Sequence, residues 1–382
     1  MPVERLLPSA EAYDMVAVVA EFARERLAPV AAAMEETEEF PRDLMRELGE
    51  LGLFAMPYAE SVGGLGQPYE VYLQALEEVA QAWMIVGVGA SVHVMTCHAV
   101  VHHGDADQQA RLLPEMLGGS LLGAFSLSEP QAGSDVDAIR AKAVRDGDAY
   151  VLSGEKAWTS HGGVADYYQV YARTGEGREG LSCFHIPADT PGLAFGPPEH
   201  KMGMRASPTT PLHLDEVRVP VENRLGAEGD GQRLALGALA KGRLGVAASA
   251  TGLAQAALDA AVAYAREREQ FGTRIADFQG VRFLLAEMAA RVASARALYL
   301  DGARRLDAGL DFTREAAIAK LVATDAAMAV TTDAIQVLGG AGYTADFPVE
   351  RYFREAKVTQ IFEGTNQIQR LVIARSLLRP GG

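Results

Sequence analysis

From Gly231 to the C-terminus the chain offers long, alanine-rich periodic stretches and no convincing strand, and this asymmetry limits the fold more than any other feature. The stretches span residues 232–268, 278–306, 313–338 and 348–378, joined by short connections. Apolar residues spaced at three and four give each helix one stripe to bury. Four long helices with short links bury those stripes against one another, as a bundle.

The texture before Gly231 differs. Residues 149–152, 166–171, 181–186 and 212–214 read as strands, rich in β-branched and aromatic residues and bounded by Gly, Pro and Asp. Asp146-Gly147 is a hairpin signal. Ahead of residue 121 the pattern is helical again. A helix is predicted over residues 9–34, with Ser9 as its cap and Glu11 and Asp14 at the positive end of its dipole. A second starts at Phe40-Pro41 and stops near Gly49 or Gly52, and residues 61–66 form a loop. Helix returns over 70–81 and through the uncharged stretch 81–104, and Asp105 caps another that stops at Gly118-Gly119.

The 382 residues suffice for two or three domains with sizeable cores. A net charge of -15 makes nucleic acid and anionic membranes poor partners, and an anionic small molecule would need local Arg, Lys or backbone donors. Two distant cysteines, Cys97 and Cys183, fit a reducing interior better than a disulfide framework. Residues 1–5 are followed by no apolar segment of the kind a signal peptide needs, so a cytoplasmic location is expected. The stretch 81–104 is long enough to suggest a membrane span. Its His93, His98, His102, His103, Gly87 and Gly89 favour a buried core helix instead.

Several segments can carry chemistry. Glu363 lies between Ile361-Phe362 and Gly364. Apolar neighbours raise a carboxyl pKa toward neutrality, where it abstracts protons best, and a glycine lets a substrate approach the backbone. Residues 125–135, FSLSEPQAGSD, can present backbone N–H groups, Ser128 and Ser134 to a carbonyl or an anion, although a plain strand-to-loop transition has the same composition. Trp158, between Lys156 and the run Thr159-Ser160-His161-Gly162-Gly163, suits a flat aromatic ligand or a core at a strand end. Arg268 closes a helix, where it can clamp a phosphate or complement the dipole. Gly339, Gly340 and Gly342 allow close passage of a ligand, or form a helix cap and turn.

Six segments, FSLSEPQAGSD, KAWTSHGG, KMGMRASPTT, REREQFG, QVLGGAGY and IFEGTNQIQR, occur in the order and spacing of one family across nearly the whole chain. The chain resembles the acyl-CoA dehydrogenase flavoproteins. The resemblance implies an α+β, mainly α fold: an N-terminal helical domain over 1–120, a central β-sheet or barrel-like domain over 121–228 and a four-helix bundle over 229–382. It implies FAD between the β domain and the bundle, completed by a neighbouring subunit of a homo-oligomer, normally a tetramer. By position, Ser128 and the backbone around Leu127 meet the flavin pyrimidine side, Trp158 packs by the ring and Ser160 lies near N5. Phe125, Gly133, Ser134 and Thr159 join the same cofactor site. Arg268, Gln270, Phe271, Phe278 and Gln279, with Gln336, Val337, Gly339 and Gly340, are assigned to the FAD of a partner subunit, and Thr365 and Gln367 to the chain's own. Ser134, Arg243 and Gly364 are expected at the substrate, and Glu363 is the base.

The implied reaction is α,β-dehydrogenation of an acyl-CoA thioester, with an electron-transfer flavoprotein as acceptor and fatty-acid β-oxidation as setting. The base removes the α-proton while the β-hydrogen leaves as hydride to flavin N5. In the family the thioester oxygen is held by the base's own N–H and a ribityl hydroxyl; one such donor is typically worth about 3–4 kcal/mol. Some members carry the base on the helix matching residues 240–243, but Ala240, Lys241, Gly242 and Arg243 offer no carboxylate, which favours Glu363. Ala240 replaces a frequent Asp, Ser160 a usual Thr and His161 a common Asn. Acyl length follows pocket depth, with lining expected between Trp83 and His98.

Three other readings compete. An acyl-CoA oxidase would share fold and base, yet the chain is short for that group. A metal-dependent hydrolase could use His98 and His102 on one helix face with His103, but no Glu follows His98 and no third ligand is evident, so no metal is expected. A non-catalytic helical binding module would not need the base, the clamping Arg and the Trp together.

Overall fold

The computed structural model describes residues 3–378; Met1, Pro2 and residues 379–382 lie outside it. The N-terminal part holds α1 (Ala10–Phe22), α2 (Ala31–Thr37), α3 (Arg42–Glu50), α4 (Tyr69–Ala82), α5 (Met84–His103) and α6 (Ala106–Leu117). Ser9 accepts the Ala12 amide at 3.1 Å, the expected cap. Asp105 Oδ1 accepts the Gln108 amide and Gln108 Oε1 accepts the Asp105 amide, a capping box at the start of α6. The helix expected over 9–34 is not continuous: residues 23–27 widen into a π-helical turn before α2. Pro29 has no amide to donate, and its ring excludes the regular bond four residues back.

Helix α5 is apolar on every side, and residues from Met84 to Val100 are buried among α4, α6, α7 and the first strand. Among the described residues three helical stretches are long and apolar enough to cross a membrane, yet in this one 94% of the apolar run is buried inside the fold, as expected of a core helix.

Strands follow: β1 (Gly123–Ser126), β2 (Lys142–Asp146), β3 (Ala149–Ser160), β4 (Tyr167–Arg173), β5 (Leu181–Pro187), β6 (Leu193–Phe195), β7 (Thr209–Pro220) and β8 (Arg224–Leu225). The sheet order is β6-β7-β3-β2-β4-β5-β8, with β1 parallel to β4. Asp146 pairs with Ala149 across the predicted hairpin. Strand β2 escapes sequence detection because charged residues break its alternation. Tyr150, Tyr168, Phe184, Leu212 and Val217 form the core of this layer. Cys97 and Cys183 are both free and buried.

The bundle comprises α7 (Gly231–Glu267), the short hairpin β9 (Glu269–Gln270) and β10 (Thr273–Arg274), α8 (Gln279–Asp307), α9 (Thr313–Leu338), α10 (Val349–Thr359) and α11 (Asn366–Leu377). Helices α7, α8 and α9 pack on one another, and α10 and α11 lie against α9. The fold class is as expected, except that the last predicted helix, 348–378, is two helices. The break at residues 360–365 contains Glu363 and Gly364, both with positive φ.

A buried ionic network ties α4 to the bundle. Glu77, fully buried on α4, receives Arg296 of α8 at 2.7 Å and 3.0 Å, lies 3.4 Å from Arg5 and accepts the Tyr299 hydroxyl. Burial alone would raise the Glu77 pKa, but Arg5 and Arg296 hold it below the usual value. Glu77→Ala leaves Arg296 without its counter-charge, while Arg5 keeps Glu78 at 2.7 Å. Chemical denaturation should show a loss of about 3–5 kcal/mol. Because the pKa is depressed, the wild-type protein carries this stabilisation above the ordinary carboxyl pKa and loses it on acidification.

Candidate functional site

The break between α10 and α11 builds the centre of the site. Glu363 has φ +53 and Gly364 φ +83, a left-handed pair that turns the chain inward. Lys320 of α9 donates from Nζ to the Gly364 carbonyl at 2.9 Å and to Asn366 Oδ1 at 2.9 Å. Gln369 Nε2 donates to the carbonyls of Gly364 at 2.7 Å and Glu363 at 3.3 Å. The Thr365 hydroxyl caps α11 by accepting the Ile368 amide at 3.3 Å. Among the described residues no acceptor takes the Glu363 amide.

Glu363 is partly exposed as a residue, but its Oε2 is shut off from solvent and has no hydrogen-bond partner. A Cβ on Gly242 would overlap Met95 Sδ and stand 3.1 Å from that oxygen, so glycine here leaves both the Met95 thioether and the carboxylate where they are. Burial pushes the Glu363 carboxyl up to about 7, against the pull of Arg243 and Lys320. Arg243 is itself buried, and its Nε has no partner. Beyond Met95 lies a cavity of only about 10 Å³ whose lining includes Tyr58, Tyr69, Ser91, Met95, His98 and Lys241. His98 and His102 turn ring nitrogens toward Lys241 Nζ, at 3.2 Å and 3.5 Å.

A second group gathers where β1 meets the end of β3. Buried Lys156 holds the Leu127 carbonyl at 3.0 Å and the Glu129 carboxylate at 2.8 Å. Glu129 also accepts the amides of Arg140 and Ala141. Ser128 accepts the Ala157 amide through its carbonyl at 2.9 Å, and the Ser126 and Thr159 hydroxyls lie 3.0 Å apart. A bulge between Lys156 and Thr159 puts Trp158 at φ +61 with 63% of its surface exposed. Ser160, Ser128 and Phe125 are half-buried, whereas Gly133 and Ser134 are exposed. His161 is a core residue: its Nδ1 meets the Gly123 carbonyl at 3.0 Å.

A third group lies on the surface. Arg268, Gln270, Phe271 and Gln279 are exposed, with Phe271 95% exposed and its ring 6.2 Å from that of Phe278. Gln336, Gly339 and Gly340 are exposed at the end of α9, Val337 is buried, and Gln367 is exposed on α11. No hydrogen bond among the described residues links these three groups. Among the described residues seven non-glycines have positive φ, and Trp158, Phe271 and Glu363 are three of them. Strain of this kind concentrates where function over-determines the backbone. The segment 201–210 acts as a bridge: the Arg205 amide donates to Glu35 of α2, and Arg354 of α10 donates to the Met202 carbonyl.

Sequence reasoning missed Lys320 and the space-making role of Gly242, whereas Met95 falls in the span 83–98 from which lining residues are expected. Lys320 carried one available signal. It is a lone charge on a helix face otherwise made of Ala316, Ala319, Ala323 and Ala327.

Models of the N-terminal, middle and C-terminal domains of acyl-CoA dehydrogenases match residues 9–120, 124–217 and 229–378. An acyl-CoA dehydrogenase of Bacillus subtilis is 44% identical over 364 residues, covering 94% of this chain and 96% of the relative. The mitochondrial short-chain specific acyl-CoA dehydrogenase of Mus musculus is 42% identical over 94% of this chain and 88% of its own. Butyryl-CoA dehydrogenase from Megasphaera elsdenii superposes with TM-score 0.95 at 38% identity, over 98% and 100% of the two chains. A chain in a structure described as the electron transferring flavoprotein of Acidaminococcus fermentans gives 0.96 at 40%, over 99% and 100%. An FAD complex of PigA gives 0.93 at 25%, over 98% and 99%.

Gly364→Ala places a Cβ at a left-handed position 2.8 Å from Gln369 Nε2. Urea unfolding should show a loss of about 1–2 kcal/mol from the backbone conformation alone, and turnover should fall as the clamped turn shifts.

Proposed function

The chain belongs to the acyl-CoA dehydrogenase family, and from that premise we propose how its own residues carry the reaction. The activity is FAD-dependent α,β-dehydrogenation of an acyl-CoA thioester. Electrons pass to an electron-transfer flavoprotein.

Glu363 is the base. The observation that carries this is its buried, unpartnered Oε2 beside Gly242, Arg243 and Lys320. A carboxylate there can take a proton without first breaking a hydrogen bond. The free amide of the same residue is placed to donate to the thioester oxygen, so charge developing on that oxygen meets a preset dipole. Arg243, with a buried Nε awaiting an acceptor, meets the anionic substrate together with Ser134 and Gly364.

The residues fit a flavin. Trp158 is held outward beside Ser160, next to a loop locked by the Lys156–Glu129 pair, and Phe271 is a bare aromatic ring in a single copy. Bound FAD supplies the acceptor for the β-hydrogen. Phe125, Leu127, Ser128, Gly133, Ser134, Trp158, Thr159 and Ser160 line one side of its site, with Thr365 and Gln367 on the other. Arg268, Gln270, Phe271, Phe278, Gln279, Gln336, Val337, Gly339 and Gly340 serve the cofactor of a neighbouring subunit. The exposed Phe271 and Tyr343, 95% and 86%, support burial in a homotetramer. The domain limits 1–120, 121–228 and 229–382, a cytoplasmic location and a place in fatty-acid β-oxidation belong to the same reading.

Glu363→Gln should keep its visible flavin absorbance and lose about 100- to 10,000-fold in turnover, measured against a panel of acyl-CoA esters. Near-normal turnover would remove Glu363 from its role. In the wild-type enzyme the carboxyl must be ionised to act. With its pKa pushed up to about 7, kcat/KM should climb as pH rises through about 7 and level off above it. Arg268→Ala should reduce flavin content or oligomer size, read by absorbance and size-exclusion chromatography.

A further inference from the structure

Lys320 is a fully buried cation that the reaction as described does not use. It stands on α9 among alanines, and no salt bridge reaches it among the described residues. Holding an ammonium there is costly, and two neutral hydrogen bonds could be made by an uncharged donor. The nearby charges narrow the reason for its presence. Asp325, one turn along α9, is engaged elsewhere: it accepts Gln360 Nε2 at 2.6 Å and Asn366 Nδ2 at 2.8 Å, and lies 3.3 Å from Arg370 of α11. From α7 the facing charge is Arg243, also positive. Gln369 on α11 is neutral. The anion left without a direct partner is Glu363.

We propose that Lys320 is a positioning residue for the base: it clamps the Glu363 turn through the Gly364 carbonyl and supplies the second buried positive charge that lets the Glu363 carboxyl ionise. This rests on Glu363 being the base. Burial brings the Lys320 ammonium down to about 8, with Glu363 pulling the other way, so the two groups titrate close together and influence each other. Without the charge on Lys320, only Arg243 opposes the burial penalty on Glu363, and the carboxyl keeps its proton to a higher pH.

Three variants separate charge from clamp. Lys320→Met removes both, Lys320→Gln keeps a donor without charge, and Lys320→Arg keeps the charge. The first readout is the acid limb of kcat/KM in the flavin-loaded enzyme. The second is the titration of the Glu363 carboxyl, obtained from carboxyl-13C glutamate spectra by difference with the Glu363→Gln protein. Lys320→Met and Lys320→Gln should move both upward by about one pH unit, a tenfold drop in the ionised fraction on the limb. Their KM for acyl-CoA should stay near the wild-type value, and Lys320→Arg should restore the limb. If one neutral variant does not fold, the other reads the same limb. Neutral variants that keep the wild-type limb and titration, with Glu363→Gln inactive, overturn the role of Lys320 alone. An active Glu363→Gln overturns the assignment of the base instead.

Discussion

A carboxyl group held in the interior without a hydrogen-bond partner is the constraint around which the C-terminal half is arranged. Glu363 reaches that position only because the last long helix breaks and the chain passes through two successive left-handed residues. For a side-chain-bearing residue this conformation costs about 1–2 kcal/mol. The return is an ionisable oxygen shielded from water, with its affinity for a proton raised to the neutral range. Neighbouring helices are built to tolerate it. α7 contributes a glycine that leaves the carboxylate and Met95 where they are, and α9 contributes a lysine that grips the turn from below.

The sheet layer repeats the pattern in another material. A buried Lys156–Glu129 pair fixes the loop after β1, and a bulge in β3 swings Trp158 out of the core and into a left-handed conformation. In both places a strained residue is presented by a rigid frame, and the frame rather than the residue absorbs the stress. Rigidity also comes from small side chains. Buried alanines along α7 and α9 let backbones approach closely, so displacement of one helix is felt by the next.

Much of this was legible in residue patterns, and the exceptions are instructive. The three-part order, the Ser9 and Asp105 caps and the hairpin at Asp146-Gly147 follow from local propensity. Glu363 could be singled out because apolar neighbours and a glycine flank it. The helix break there was missed, since one glycine in a periodic segment does not reveal a preceding residue in the left-handed region. Strand β2 was missed because its pairing, not its alternation, makes it a strand. Lys320 and Gly242 act only through residues distant in sequence, a relation that periodicity cannot express.

Helix α5 has no polar face to offer water, and its covers come from both sides in sequence order: α4 and α6 beside it, β1 just after it and α7 much later. A ribosome releases α5 well before α7 has been made. During that interval a naked greasy rod has no mate along one flank, so the nascent chain must either wait in a loose state or be sheltered by a chaperone. The cover that α7 gives α5 is thus completed only when residues 231–267 have been made.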